Sequence, residues 1–266
     1  MNLHFRRLAL LLLPLALFLS GCYTVPVTGR SALSLVDDKE VTKMSIAAFN
    51  DMKSHYPISR DQERIDQLRR VGERLQRAIP WWDMPGSDAD DAGWEFVVFD
   101  VPGEINAFAM AGGKVGVFTG LFKVVQNDDQ LASVLAHEIA HVTAKHVQER
   151  LSRDLAKDTV GIVASPIMLV QQAAGASGDL AFDRDKEREA DHIGMIYMSR
   201  AGYNPQEAIN VLERLELVTG GMSVKDTLQS NHPSTPERIQ RLQDELPKAL
   251  EIYRQSGVEV APTVIK

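Results

Sequence analysis

The sequence predicts an α+β domain that is mostly helical and carries a small, mainly antiparallel sheet. Two observations support this fold class. Apolar residues recur every three or four positions over long stretches of the 266-residue chain, which is the period of amphipathic helices. Between residues 94 and 119 this pattern gives way to short runs rich in Val and Phe, which are typical of strands.

Helices are predicted on both sides of the strand region. Two amphipathic helices precede it, and the chain after it has helical patterns almost to its end. The predicted helices cover residues 37–56, 61–79, 128–153, 156–174, 179–200, 205–217 and 236–254. Asn127 is expected to cap the first of the later helices, and Gly202 is expected to stop the helix that ends near Arg200.

Three short strands are predicted between the two groups of helices. They are Trp94–Phe99, Ile105–Met110 and Lys114–Thr119. Pro102-Gly103 and Gly112-Gly113 separate them, and such pairs are typical of turns. Together the three segments predict the small sheet.

The composition is that of an ordinary globular protein, with 44% hydrophobic and 24% charged residues. The formal net charge is −7, and no cluster of Lys and Arg forms a stripe able to neutralise phosphates. A nucleic-acid partner is therefore not expected. The length is compatible with one main domain, which we place at residues 37–256, followed by a C-terminal tail at 257–266.

The N-terminus resembles a bacterial signal peptide. Arg6 and Arg7 precede an apolar run at residues 8–19 that is too short to span a bilayer comfortably. Leu19-Ser20-Gly21-Cys22 resembles the lipobox of bacterial lipoproteins, in which the Cys becomes the lipidated first residue of the mature chain. We therefore predict a signal peptide over residues 1–21 and lipidation of Cys22. The alternative is an uncleaved anchor helix with an incidental Cys.

Cys22 is the only cysteine, so no intramolecular disulfide can form, and attachment to a membrane is its expected role. The polar stretch after it lacks a period, and residues 22–36 are predicted to be a lipidated N-terminus and tether. Lipoproteins of this kind are retained in the inner membrane when Asp follows the Cys. This chain has Tyr23 there, which indicates an outer-membrane anchor facing the periplasm.

The predicted helix 128–153 contains the motif HExxH, at His137-Glu138-Ile139-Ala140-His141. Four residues advance about 400° along a helix, so both imidazoles emerge on one face, as two ligands of one zinc ion must. Glu138 lies beside the pair and is the candidate general base toward the attacking water. The alternative is a pair of hydrogen-bonded core histidines. His146 lies about 180° around the helix from His137 and is excluded as a ligand.

A catalytic zinc needs a third protein ligand, and a later helix offers acidic candidates. Glu187 and Asp191 lie one turn apart on the same face of the predicted helix 179–200. Glu187 could bind the ion, while Asp191 accepts the free N–H of a ligand His and fixes its tautomer. The alternative is a solvated acidic face that is balanced by neighbouring Arg and Lys residues.

These motifs resemble the zinc peptidases of the HtpX, Oma and CAAX-prenyl-protease superfamily, peptidase family forty-eight of the metallo class. HExxH is followed about 45 residues later by Glu187-x-x-Ala190-Asp191-x-x-Gly194, and the resemblance covers roughly residues 35–245. It implies a zincin-like (gluzincin) domain that binds one Zn²⁺ per chain through His137, His141 and Glu187. With a lipobox, the chain is most similar to the periplasmic lipoprotein members of the LoiP and YcaL type.

The same family carries a pattern that matches the strand region, where Asn106 begins one segment and Gly113-Lys114-Val115 lie in the next. In the family, the strand just before the HExxH helix is a sheet edge on which substrate lies extended. The resemblance therefore assigns Asn106, Gly113, Lys114 and Val115 to a substrate-binding strand. The alternative is an ordinary internal hairpin.

His232 begins a segment, His232-Pro233-Ser234-Thr235-Pro236-x-Arg238-Ile239, that resembles the family's late motif. The resemblance implies that His232 lies near the metal. It would either donate to the developing oxyanion or occupy the open coordination position at rest. The alternative is a histidine that only caps a loop.

Taken with the resemblance, the sequence indicates a zinc-dependent endopeptidase of the bacterial cell envelope. Its expected substrates are misfolded or unassembled envelope proteins, and its oligomeric state is left open. The main alternative is a chaperone-like or assembly-factor lipoprotein with a latent or structural zinc site. A purely structural lipoprotein would require every motif to be incidental. Glu138 favours the enzyme, because a binding protein has no need of that carboxylate.

Overall fold

A computed structural model describes residues 22–80, 93–156, 184–219, 232 and 235–257. Over these residues the chain forms five strands and seven α-helices, so the predicted α+β class is confirmed. The strands are β1 Cys22–Thr24, β2 Ser31–Leu33, β3 Glu95–Phe99, β4 Ala107–Met110 and β5 Lys114–Phe118. The helices are α1 Asp38–His55, α2 Gln62–Ala78, α3 Asp128–Thr143, α4 His146–Ala156, α5 Arg184–Arg200, α6 Gln206–Thr219 and α7 Pro236–Gln255.

Some predicted segments lie outside the described residues. These are the signal peptide at 1–21, the helix at 156–174 apart from its first residue, the start of the helix at 179–200, and most of the C-terminal tail. Among the helices that the structure describes, none combines the length and apolar character needed to cross a bilayer.

The predicted start of the HExxH helix at Asn127 and the predicted end of α5 before Gly202 are confirmed. The side chain of Asn127 accepts a hydrogen bond from the backbone N–H of Gln130 at 2.8 Å, which caps the start of α3. Gly202, two residues after the end of α5, has a φ of 70°. This left-handed conformation ends a helix at low cost when the residue is Gly.

The prediction of one continuous helix over residues 128–153 is wrong. Helix α3 ends at Thr143 and α4 begins at His146, because Lys145 adopts a φ of 54°. This left-handed conformation is unusual for a residue with a side chain, and it interrupts the helix. Two contacts hold Lys145 in place: its Nζ lies 2.7 Å from the carboxylate of Asp38 and 3.8 Å from the ring centroid of Tyr23.

The three-stranded sheet has the order β3-β5-β4, with β3 parallel and β4 antiparallel to β5. The expectation that residues 114–119 form a sheet edge is therefore wrong, since β5 is the central strand. Lys114 pairs with Glu95 on one side and Met110 on the other, and Val115 is likewise enclosed. The sequence could not reveal this order, because strand pairing depends on contacts between distant segments.

The edge nearest the HExxH helix belongs to β4, which begins directly after Asn106 and packs against α3. Among the described residues, no strand pairs with the outer side of β4. Gly113 lies in the turn that joins β4 to β5, where it has a φ of 71°. Of the four residues assigned to a substrate strand, Asn106 alone adjoins this free edge directly.

The segment predicted to be a tether forms a β-hairpin that belongs to the domain. Strands β1 and β2 pair antiparallel from Cys22–Leu33 to Thr24–Ser31. Val25 and Ala32 are buried in the main core, and the hydroxyl of Tyr23 donates to the carbonyl of Thr143 at 2.9 Å. Strands of three residues are too short to show an alternating pattern, so they could not be predicted from the sequence.

The main core is built around α3, where Leu131, Leu135 and Ile139 are fully buried. Helix α5 packs directly on this helix. A Cβ added at Gly194 of α5 would lie 3.0 Å from the backbone nitrogen of His137, closer than most real contacts. Glycine thus permits the close approach that sets the HExxH helix against the helix bearing Glu187.

Candidate metal centre

The donor atoms converge where α3, α5 and the start of α7 meet. His137, His141, Glu187 and His232 each offer one ligand atom, and these atoms all lie within 4.8 Å of one another. Nε2 of His137 lies 3.1 Å from Nε2 of His141. Oε2 of Glu187 lies 3.4 Å from Nε2 of His137, and Oε1 of Glu187 lies 3.4 Å from Nε2 of His141. The structure therefore brings together the three ligands expected from the sequence.

The electrostatics of this cluster suit a divalent cation. Burial lowers the pKa of His137, but hydrogen bonds and charge from Asp191 and Glu187 outweigh burial and raise the pKa to about 10. Burial raises the pKa of Glu187, yet the neighbouring histidines hold it well below its ordinary value. The carboxylates thus favour positive charge at this point. Oε2 of Glu187 lies 3.4 Å from Nε2 of His137 and 3.2 Å from the guanidinium of Arg238.

Two imidazole nitrogens and one carboxylate oxygen are a donor set that catalytic zinc sites use. His141 and Glu187 are buried, the side chain of His137 is 13% exposed, and packed helices hold all three, so little ordering would be needed for an ion to bind. The residues present therefore fit the zinc ion that the sequence predicts.

Glu138 lies next to the cluster, in the position expected of a general base. It is buried, and burial raises the pKa of its carboxyl group above the ordinary value. Its Oε1 atom has no hydrogen-bond partner among the described residues and lies 3.5 Å from Nε2 of His232. A carboxylate with a raised pKa and an oxygen that makes no hydrogen bond to the described residues is suited to accept and return a proton.

His232 lies inside the cluster. Its Nδ1 atom is 2.8 Å from Oε1 of Glu187 and 3.2 Å from Nε2 of His137. The loop-cap interpretation therefore does not account for its position. The guanidinium of Arg238 donates to the carbonyl of His232 at 3.0 Å and fixes the backbone there.

Asp191 takes the supporting position that its spacing from Glu187 predicts. Its Oδ1 atom lies 3.0 Å from Nδ1 of His137, the nitrogen that points away from the cluster. Burial raises the pKa of Asp191, but the charges and hydrogen bonds of Arg238 and His137 outweigh burial and lower it to about 2. An ionised Asp191 therefore holds the Nδ1 proton on His137 and leaves Nε2 free for the ion.

Arg238 is a functional residue that the sequence analysis did not single out. Its guanidinium binds Asp191 through two hydrogen bonds, of 2.8 and 2.7 Å, and lies 3.2 Å from Oε2 of Glu187. The available signal was its position in the motif that begins at His232. One buried Arg thus connects the late motif to Glu187 and Asp191 of α5.

His146 is absent from the group of donor atoms, in agreement with its exclusion as a ligand, yet it touches the site. Its Nδ1 atom lies 2.8 Å from Nδ1 of His141. A continuous helix would put His146 on the side of α3 opposite His137. The break at Lys145 brings it back beside His141 instead.

An apolar pocket adjoins the reactive groups. It lies between α3, α5, α6 and α7, and Glu138 and His232 stand at its polar end. The apolar lining includes Val134, Met195, Met198, Val211, Leu212 and Leu215. A side chain entering this pocket would be apolar and would lie next to the candidate general base.

Comparison with known proteins places these features in a family context. Residues 62–246 match the sequence profile of Peptidase family M48. The mitochondrial metalloendopeptidase OMA1 of Saccharomyces cerevisiae is 39% identical over 181 residues, which cover 63% of this chain and 51% of that relative. The protein of the same name from Schizosaccharomyces pombe is 31% identical over 236 residues, covering 85% and 66%.

A bacterial relative with a different name also matches. The beta-barrel assembly-enhancing protease of Escherichia coli K12 is 29% identical over 214 residues, which cover 74% of this chain and 42% of that relative. The chain thus spans from 42% to 66% of the length of these three relatives.

Proposed function

The chain belongs to peptidase family M48, whose members are zinc metallopeptidases, and we propose that it is a zinc-dependent endopeptidase of the bacterial cell envelope. The observation that carries the proposal is the convergence of His137, His141 and Glu187 beside a buried Glu138. The first three would hold the ion and the fourth would move the proton.

Zinc, when bound, supplies the Lewis acidity that polarises a peptide carbonyl and acidifies water. Oε1 of Glu138 would accept the proton of the attacking water and then deliver it to the departing amine. Burial raises the pKa of Glu138, which favours the second step because the carboxyl then holds the proton more strongly until the amine takes it. Asp191 would keep His137 in the tautomer that presents Nε2 to the ion.

His232 has two roles that its position supports. It could donate to the oxyanion that develops on the substrate carbonyl. It could also act as a further ligand in a resting state, because its Nδ1 atom lies among the other donor atoms. The two roles predict opposite effects of its removal.

Activity can be tested on unfolded casein with the purified protein. We expect cleavage by the wild type, its loss with a chelator, and its return when Zn²⁺ is added. Glu138→Gln should bind zinc as the wild type does and cleave at least a hundredfold more slowly, because the proton acceptor is lost while the ligands remain. Casein cleavage that survives the chelator, or that is unchanged in Glu138→Gln, would reject the proposal.

We place the protein at the outer membrane, facing the periplasm, with lipid on Cys22. The basic and apolar N-terminal segment, the lipobox-like sequence and Tyr23 after the Cys support this location. Cys22 is also exposed, at the start of β1. Cys22→Ala should appear in the soluble periplasmic fraction or remain an uncleaved precursor. A processed variant that still sediments with membranes would exclude the lipid anchor.

The proposed substrates are unfolded or misassembled envelope proteins. The side of β4 that no described strand pairs with supports this choice, because an extended chain could add there through backbone hydrogen bonds. Main-chain pairing accepts many sequences, as a quality-control peptidase must. The E. coli relative is named for beta-barrel assembly, which is in keeping with an envelope substrate.

The second candidate function is that of a chaperone-like or assembly factor with a latent zinc site, and the placement of His232 among the donors favours it. Expression of Glu138→Gln in a strain lacking the gene separates the two. Full complementation by this variant would favour the non-catalytic function, whereas loss of complementation would favour the peptidase.

A further inference from the structure

A chain of buried hydrogen bonds leads away from the metal ligand His141, on the side opposite the other donors. Nδ1 of His141 lies 2.8 Å from Nδ1 of His146, and Nε2 of His146 lies 3.0 Å from Oε2 of Glu189. All three side chains are buried. Glu187 belongs to the cluster of donor atoms, whereas Glu189 does not.

The chemistry of these groups fixes the direction of the hydrogen bonds. An ionised carboxylate only accepts, so Nε2 of His146 must donate to Glu189. A neutral imidazole that donates at one nitrogen accepts at the other, so Nδ1 of His146 receives the proton of His141 Nδ1. His141 then presents an unprotonated Nε2, which is the atom that points toward the other ligands.

The far end of the chain is held by the N-terminal hairpin. Thr28, in the turn between β1 and β2, donates its hydroxyl to Oε1 of Glu189 at 2.6 Å. Nε of Arg30 donates to Oε2 of Glu189 at 2.8 Å, and a second guanidinium nitrogen lies 2.7 Å from the same oxygen. Arg30 also lies 3.0 Å from Glu149, which pairs with Lys186.

Each of the two ligand histidines is thus connected to a carboxylate, one directly and the other through a second histidine. His137 contacts Asp191 directly, and Arg238 holds that acid. His141 reaches Glu189 through His146, and the hairpin holds that acid. In each case an Arg from a different part of the chain holds the acid. Both imidazoles are therefore oriented through Nδ1, the ring nitrogen that does not face the other donor atoms.

We propose that Arg30 and Glu189 are positioning residues that orient the metal ligand His141 through His146, which makes the N-terminal hairpin part of the metal centre. The inference rests on the proposed zinc site. It assigns a role to the hairpin residues Thr28 and Arg30, because loss of their contacts would leave Glu189, the acceptor of His146, without the groups that hold it in place.

The first test measures the dissociation constant of Zn²⁺ by competition with a chromophoric chelator, using the purified protein. Glu189→Gln should bind Zn²⁺ about 10- to 100-fold more weakly, as loss of a hydrogen-bond partner behind a ligand does elsewhere. Arg30→Gln should weaken binding in the same direction, and Arg30→Lys should recover part of the loss because it keeps the charge. Wild-type affinity in Glu189→Gln would overturn the proposal.

A matched control is Arg70→Gln. Arg70, on α2, makes two 2.8 Å hydrogen bonds to Asp128 at the start of α3. Like Arg30, it is an Arg from another part of the chain that holds an acid, and this acid lies on the helix that carries His137 and His141. Its hydrogen bonds within the described part of the chain go to Asp128 and not to His141, His146 or Glu189, so its substitution should leave the Zn²⁺ affinity within twofold of wild type. An equal loss in this control would mean that general destabilisation, not positioning, weakens the site.

A second readout needs no variant. Nitrogen-15 NMR of the metal-free wild type should show His141 protonated at Nδ1 and His146 protonated at Nε2. The reverse tautomers would overturn the proposal even if the variants failed to fold. Failure of the wild type to bind Zn²⁺ at all would instead reject the proposed function, so the two failures are distinguishable.

Discussion

Replacing Asp191 with Asn removes one negative charge from a buried site while keeping the shape of the side chain. In the wild type, Asp191 accepts two hydrogen bonds from Arg238 and lies 3.0 Å from Nδ1 of His137. The Asn amide can accept only through one oxygen, and its NH₂ group would face the donors of Arg238. The buried guanidinium would lose its best partner.

The size of the effect follows from the acidity of the carboxyl group. The pKa of Asp191 falls from 3.8 to about 2 in the folded protein. Since 1 pH unit corresponds to about 1.4 kcal/mol, the surroundings favour the ionised form by about 2 kcal/mol. We expect Asp191→Asn to lower the free energy of unfolding at pH 7 by at least that amount, because Arg238 also stays buried without its acid.

The sign of the pH dependence is fixed by the same shift. A carboxyl whose folded pKa is lowered stabilises the protein above its unfolded pKa, and the stabilisation is lost as the pH falls through the folded pKa. The difference between wild type and Asp191→Asn should therefore be constant from pH 7 to about pH 5 and shrink below about pH 4.

Urea denaturation of the metal-free proteins, followed by circular dichroism at several pH values, measures this difference. Asp66→Asn is the control, since Asp66 is an exposed acid on α2 that lies 3.7 Å from Arg69. The control should change the stability by less than about 0.5 kcal/mol. A similarly small change in Asp191→Asn, or a difference that grows as the pH falls, would refute the reasoning.

Three further predictions concern the same region. Glu187→Ala should lose zinc as measured by elemental analysis, and full occupancy would mean that another group is the third ligand. His232→Ala, compared with wild type at matched zinc content, should lower casein turnover about a hundredfold if the side chain donates to the oxyanion, and should raise it if the side chain is a resting ligand. Unchanged turnover would remove His232 from both roles. Gly194→Ala should lower the free energy of unfolding by about 1–3 kcal/mol, because its Cβ would press on the backbone at His137. Wild-type thermal stability in this variant would show that α3 and α5 separate more easily than their packing indicates.

The metal ligands could be predicted because helix geometry is local. The spacing of His137 and His141 fixes their relative direction once a helix is present, and the same holds for Glu187 and Asp191. The meeting of the two pairs could be inferred only through the family resemblance. Nothing in either helix by itself specifies that they pack together.

Other features depend on contacts that a single segment does not encode. The order of the sheet comes from pairing between distant strands, so β5 could not be recognised as the central strand. The helix break at Lys145 occurs without the Gly, Pro or Asn that usually signals one, and it depends on contacts with Asp38 and Tyr23 from elsewhere in the chain. The role of Glu189 likewise could not be predicted from its own helix, which carries several acids, because it depends on contacts with Arg30 and Thr28 of the hairpin.

The hairpin also sets how far the catalytic site can travel from a membrane. A flexible linker of 15 residues would give a root-mean-square reach of about 20 Å between the lipid and the domain. Strands β1 and β2 instead pack against the core from the first residue after the predicted cleavage point. If Cys22 carries lipid, the domain would be held flush with the bilayer surface. The site would then reach polypeptides that emerge at that surface or lie along it, and would not reach those that diffuse freely through the periplasm.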